Sequence, residues 1–204
     1  MNETDSVTGR PRPRRLTGLL AAILLAIICA LIAVLTRDLW LTHHPAAAAA
    51  RQMRDPEASR RITAIRDLER FGAEEPEIAI RALAAGLKDD APGVRAAAAL
   101  ALVIPVHGAR RRGAAATEVQ RAVGALLERV KDSGGDVRAA SLRALWMIAS
   151  PWDGSAPAIE PARVFAELIQ AATDPDAAVR IAALSGIGAI GPSVNEDPPA
   201  LVTR

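Results

Sequence analysis

Apolar positions along this chain follow two regimes. The first is an unbroken block: Leu16 through Leu35 reads LTGLLAAILLAIICALIAVL without a single charge. The second, from Ala46 to Gly191, is periodic. Stripes of branched and aromatic residues recur at three- and four-residue steps: Ile62, Ile65, Leu68 and Phe71, then Leu142, Leu145 and Ile148, then Ile181, Leu184, Ile187 and Ile190. Steps of three and four place residues on one face of an α-helix. Between these stripes lie others of the same kind, Val119, Val123, Leu126 and Leu127, and Val164, Phe165, Leu168 and Ile169. The spacing predicts first helices at about 46–54, 75–87, 117–131 and 160–173, and second helices at about 56–71, 91–104, 135–149 and 175–191. Few stretches alternate apolar and polar residues as strands do, so the predicted class is all-α.

The turns carry matching punctuation. Pro45 permits a helix start, and Asp55-Pro56 and Asp174-Pro175 each offer a carboxylate at an N-cap with proline at the first helical position. Gly72 and Gly191 follow the last apolar residue of a stripe, where left-handed C-caps are expected. More telling is a recurrence. Asp55, Asp89, Asp132 and Asp174 are each followed six residues later by an arginine, Arg61, Arg95, Arg138 and Arg180, and then by an apolar helical run. The arginines are separated by 34, 43 and 42 residues, and Ala64, Ala98, Ser141 and Ala183 stand three places after them. Self-similarity at such a period marks a stack of helix pairs sharing one continuous core.

These residues resemble HEAT-type repeats, in particular the short bacterial kind with D-x-x-x-x-V-R-x-x-A-x-x-A-L. The resemblance covers about 46–191 and implies a right-handed α-solenoid of about four HEAT-like helix pairs. It also implies that the Asp and Arg residues bridge adjacent repeats in a structural ladder, and that second helices line the inner face, with Arg66 and Arg143 on it. Two departures stand out: Arg60 replaces the valine before the arginine in the first copy, and Ala99 replaces a larger stripe residue in the second. Insertions around Val106 to Ala116 and Pro151 to Pro161 are expected as individual loops.

The uncharged block changes the picture from a repeat domain to a tethered one. Twenty helical residues rise about 30 Å, the thickness of a bilayer's hydrocarbon core. A soluble core helix of that length would show a polar face. A cleavable signal peptide has a shorter apolar stretch, and Arg37 and Asp38 precede the alanines that would serve for cleavage. A lipoprotein site at Cys29 would want a small residue where Ile28 stands, and a twin-arginine signal would want bulky residues where Thr17 and Gly18 follow Arg14-Arg15. Arg10, Arg12, Arg14 and Arg15 precede the block, which predicts a cytoplasmic amino terminus and extracytoplasmic repeats. Trp40 lies where a ring settles at the headgroup level. The expected organisation is a basic tail 1–15, a transmembrane helix 16–36 in contact with the lipid bilayer, a juxtamembrane linker 37–45, repeats 46–191 and a flexible tail 192–204.

Charge and chemistry narrow the function. From Asp38 onward the chain carries 20 basic and 21 acidic residues, a balance of −1, whereas the whole-chain charge is +2. The positive excess lies outside the repeats, which argues against a nucleic-acid partner. The single Cys29 excludes an intramolecular disulfide and a cysteine-based metal site. His43, His44 and His107 have no ligand-spaced companions, no serine has a base, and Gly186-x-Gly188 lies inside a predicted helix. No catalytic residue, cofactor site, metal site or small-molecule substrate is therefore expected. Arg110-Arg111-Arg112 and Trp152 are the side chains, beside Arg66 and Arg143, for a protein contact. The tail from Pro192 shows no polar capping helix, so the last repeat is expected to expose apolar surface. The function expected is a non-catalytic, membrane-anchored scaffold for a protein partner. The alternatives are a bilin-lyase-like HEAT enzyme subunit, disfavoured by the anchor, and a HEAT-like DNA-repair protein, disfavoured by the neutral repeats.

Overall fold

The computed structural model describes residues 23–36, 44–150 and 157–196, with side chains to 191. It divides the chain into two units, Met1–His43 and His44–Arg204. In the first unit the described element is α1, Ile23–Thr36, an apolar helix whose large side chains are exposed, Leu25 by 62% and Leu35 by 60%. The Thr36 hydroxyl donates to the Ile32 carbonyl at 2.8 Å and so continues the helix's own bonding at its end. The start of the expected span, 16–22, lies outside the described residues, as do most of the tail and linker.

The second unit is a succession of helical hairpins. The first pairs α2, Pro45–Gln52, with α3, Ala58–Phe71. The second pairs α4, Pro76–Gly86, with α5, Pro92–Ala101, and α6, Val103–Arg111, prolongs α5. The third pairs α7, Ala116–Arg129, with α8, Gly135–Ala149, and the fourth pairs α9, Pro161–Ala171, with α10, Ala177–Glu196. Second helices pack in series, α3 on α5, α5 on α8, α8 on α10, while α2 packs on α4 and α4 on α7. No strand occurs among the described residues. The shared core runs through the whole stack, with Leu68, Leu83, Leu102, Leu126, Leu145 and Leu168 all fully buried.

Helix starts are built differently from expectation. Asp55 is not an N-cap: α3 begins at Ala58, and the Asp55 carboxylate instead accepts the Glu57 N–H at 2.9 Å, closing the turn before the helix. The same two-residue bond recurs from Ala91 to Asp89 at 2.9 Å, Gly134 to Asp132 at 3.0 Å and Asp176 to Asp174 at 2.8 Å. In the fourth repeat Asp176, not Asp174, accepts the Ala178 N–H of the helix's first turn at 2.8 Å. Short polar side chains compete for nearby backbone donors, which is why aspartate holds these turns.

Four further expectations are corrected. The insertion after Val106 is not a loop, because α6 continues the second helix to Arg111 after an interruption at Leu102. Pro105 supplies no N–H for the Ala101 carbonyl, the standard cause of such a break. Gly72 is right-handed, φ −68°, so its role is not a left-handed cap. A Cβ there would collide with the Pro105 ring, and one at Gly108 would lie 2.8 Å from the Ala73 Cα. Both glycines let α6 seat against the turn between α3 and α4. The helix expected to stop at 191 runs on to Glu196. His44, placed in a hydrated linker, has its Nδ1 3.1 Å from the Glu75 Oε2, while the Ala46 N–H donates to the Glu75 Oε1 at 3.2 Å. The α5–α6 stretch, Pro92–Arg111, is long and apolar enough to cross a membrane, but Val94, Ala98, Leu102 and Val106 are fully buried in the stack.

Candidate functional site

The residues that the sequence pairs within each repeat are paired by the structure between repeats. Arg61 donates from Nε and Nη2 to the two oxygens of Asp89, at 2.7 and 2.8 Å. Arg95 grips Asp132 the same way at 3.0 and 2.9 Å, and Arg138 grips Asp174 at 2.9 and 2.7 Å. The third nitrogen, Nη1, turns back to the aspartate of its own repeat but meets main chain. It donates to the Asp55 carbonyl at 2.8 Å from Arg61, to Asp89 at 2.9 Å from Arg95 and to Asp132 at 2.9 Å from Arg138. One guanidinium thus ties the turn of its own helix to the carboxylate of the next. A spacing of six from Asp to Arg makes the arginine the fourth residue of its helix, about one turn up, where its long stem reaches back over the start.

These bridges are largely shielded. The Arg138 and Asp174 side chains are 16% and 15% exposed, and those of Arg95 and Asp132 13% and 3%. Hydrogen bonds from Arg95 and Arg138 hold the Asp132 and Asp174 carboxyls below their usual range, against a smaller opposing push from burial. For Asp89 burial pushes upward most, yet the Arg61 and Ala91 donors together keep its carboxyl low as well. The guanidiniums of Arg61, Arg95 and Arg138 are raised by the same bonds. Such charge-assisted, two-point pairs fix geometry as well as adding stability.

The surface residues fare unequally. Arg66 and Arg143 occupy the same register, five places after a ladder arginine on α3 and α8, and both are exposed. Leu100, half-buried, and Ser185, exposed, hold that register on α5 and α10. Two members of the arginine triplet bond main chain. Arg110 donates from Nη1 to the Ile148 carbonyl at 3.3 Å, and Arg112 donates to the Glu74 carbonyl at 2.6 Å. Arg111 is exposed at the end of α6. His107 is buried with Nε2 3.2 Å from the Met147 carbonyl, so α6 is fastened to the end of α8. Trp146 is half-buried against Gly186 and Leu168. Trp152 lies outside the described residues.

Sequence reasoning missed Glu75, which joins α2 to α4, and its position before Pro76 at a helix start was the available signal. It also missed what Arg60 does. Arg60 approaches Asp55 at 3.4 Å and Glu57 at 3.1 Å. A shallow groove of about 360 Å³ lies between α2 and α4 and is lined by Met53, Ile78, Arg81 and Asp89. No group of three or more His, Cys, Asp or Glu side chains suited to a metal occurs among the described residues.

With this geometry in place, residues 45–146 match the family profile described as HEAT repeats, and residues 164–194 match a further HEAT repeat. The chain belongs to the HEAT-repeat family. Its repeats resemble the crystal structure of an engineered protein, with a TM-score of 0.51 and 18% identity over 72% of this chain. The likeness is one of fold, and this chain covers 62% of the engineered protein's length. No curated protein matches the sequence. HEAT repeats generally mediate protein–protein interaction, through the extended surface that stacked helix pairs create.

Proposed function

We propose that this HEAT-repeat protein is a non-catalytic scaffold, anchored by a single membrane-spanning helix over about 16–36, that holds a protein partner outside the cytoplasm. The reading is carried by one observation. Three shielded guanidinium–carboxylate bridges join the four hairpins in series, so that the second helices present one register of side chains, Arg66, Leu100, Arg143 and Ser185, across the stack. A preorganised face of that kind binds without paying to order itself. The uncharged block from Leu16, the preceding arginines and the exposed apolar α1 support the anchor and its orientation.

A photo-crosslinking residue placed at Arg143 in the full-length chain tests the scaffold, with the same residue at Arg121 on α7 as the control. One discrete protein adduct from 143 and none from 121 is expected. Equal, diffuse adducts from both positions contradict a specific scaffold. Protease added to intact spheroplasts tests the topology: degradation of the repeats is expected, and their full protection reverses the orientation.

A further inference from the structure

Among the described residues the ladder has an open end. Arg180 is the fourth ladder arginine, and its Nη1 donates to the Asp174 and Pro175 carbonyls, each at 2.9 Å, as in the other copies. Its Nε and Nη2, the edge that takes a carboxylate in the three preceding repeats, meet no carboxylate among the described residues. The apolar surface beside it is unfinished in the same sense. Four places after the ladder arginine stand Ile65, Ala99 and Leu142, exposed by 2%, 0% and 1%, and then Leu184, exposed by 60%. One place after it, Ala139 is 5% exposed in the third repeat whereas Ile181 is 61% exposed in the fourth. Ile62 and Ala96, at that place in the first two repeats, are half-buried. The place four after the arginine is buried in all three preceding repeats, and α10 carries such an interior residue with nothing described upon it.

We infer that the α10 face around Arg180, Ile181 and Leu184 docks a helical segment of a different protein, one that presents an aspartate or glutamate at the start of a helix to the Arg180 edge and apolar residues to Ile181 and Leu184. This rests on the scaffold reading and names the chemistry of the partner. The occupant's acidity follows from the guanidinium edge, which grips a carboxylate lying just before a helix in every internal copy. A second copy fits neither way round. Head to tail, it would bring Asp55, whose carboxylate is already approached by Arg60. It would also bury Arg60, which stands where Val94, Val137 and Val179 are buried. Tail to tail, it would set two Arg180 guanidiniums against each other.

The test places a photo-crosslinking residue at Ile181 in the full-length chain in its own membrane, beside the one at Arg143. A single adduct with another protein is expected from 181, its cross-linked peptide carrying Asp or Glu at a helix start. Arg180→Glu should lower its yield at least about tenfold, a loss of about 1.4 kcal/mol in pairing. Exchanging the mapped partner carboxylate for lysine should then restore it. Because Arg180 also braces its own turn, Leu184→Glu serves as a second variant: it should abolish the adduct while the melting temperature stays within about 2 °C. An adduct of the chain with itself, an internal adduct with residues 197–204, a lipid adduct, or a protein adduct indifferent to Arg180→Glu overturns the inference. No adduct at 181 beside a discrete one at 143 overturns it alone. No protein adduct at either position sinks the scaffold reading with it.

Discussion

The two ends of the stack are made differently. At the first repeat the valine that precedes the ladder arginine elsewhere is replaced by Arg60, whose side chain is 69% exposed and which pairs with Asp55 and Glu57. In the other three copies Val94, Val137 and Val179 are at most 1% exposed, covered by the repeat before. Among the described residues no repeat precedes the first, which carries a charge there instead. At the fourth repeat no such substitution has been made, and Ile181 and Leu184 keep the character of interior residues in an exposed place. Terminal repeats of a solenoid need a polar outer face to stay soluble alone. Among the described residues the stack has that face at its first repeat only, which is the physical reason to look for a partner at the fourth.

The largest contrast should come from the same register on neighbouring helices. Leu142→Ala opens a cavity under α10 and should cost about 3 kcal/mol, whereas Leu184→Ala should cost less than about 0.5 kcal/mol in the isolated chain. Thermal unfolding of the detergent-solubilised protein reads both, and equal losses would mean that α10 is covered. A smaller effect should follow acidification. The Asp89, Asp132 and Asp174 carboxyls lie below their ordinary range in the folded chain. Their contribution is therefore complete above the unfolded value of about 3.9 and is lost as pH falls through the lower folded values. Melting temperature should fall steeply below about pH 4, and Asp174→Asn should flatten that fall. An unchanged slope in the variant would take the third bridge out of the account.

Most of the architecture was legible in the sequence because its signals are local. Three- and four-residue steps located the hairpins, and the repeated Asp and Arg placed the ladder residues in one register. What was misread depends on contacts between distant segments. Gly72 resembles a C-cap from its neighbours alone, and only the arrival of Pro105 from α6 gives its small size another meaning. Pro105 likewise reads as the end of a helix, yet α6 resumes because Val106, His107 and Ala109 find burial. Arg111 and Arg112 are exposed and Arg110 half-buried, but the sequence gives no sign that Arg110 and Arg112 answer carbonyls of Ile148 and Glu74, each 38 residues away. Asp55 and Asp174 were given the cap's place because Pro follows them, but their carboxylates hold the turn one step earlier. Arg180 was identified as a ladder residue, while the vacancy beside it became visible only by comparison with the three completed bridges.

The account turns on arginines that couple one repeat to the next, and Asp174 allows that to be measured with a single carboxylate and two arginines. Arg138, from the preceding repeat, bonds the Asp174 carboxylate, while Arg180, from its own, bonds the Asp174 main-chain carbonyl. Double-mutant cycles of Asp174→Ala with Arg138→Ala and with Arg180→Ala, read by chemical unfolding, should give a coupling of about 1 kcal/mol or more for the first pair and less than about 0.5 kcal/mol for the second. Equal couplings, or a larger one for Arg180, would contradict an inter-repeat ladder.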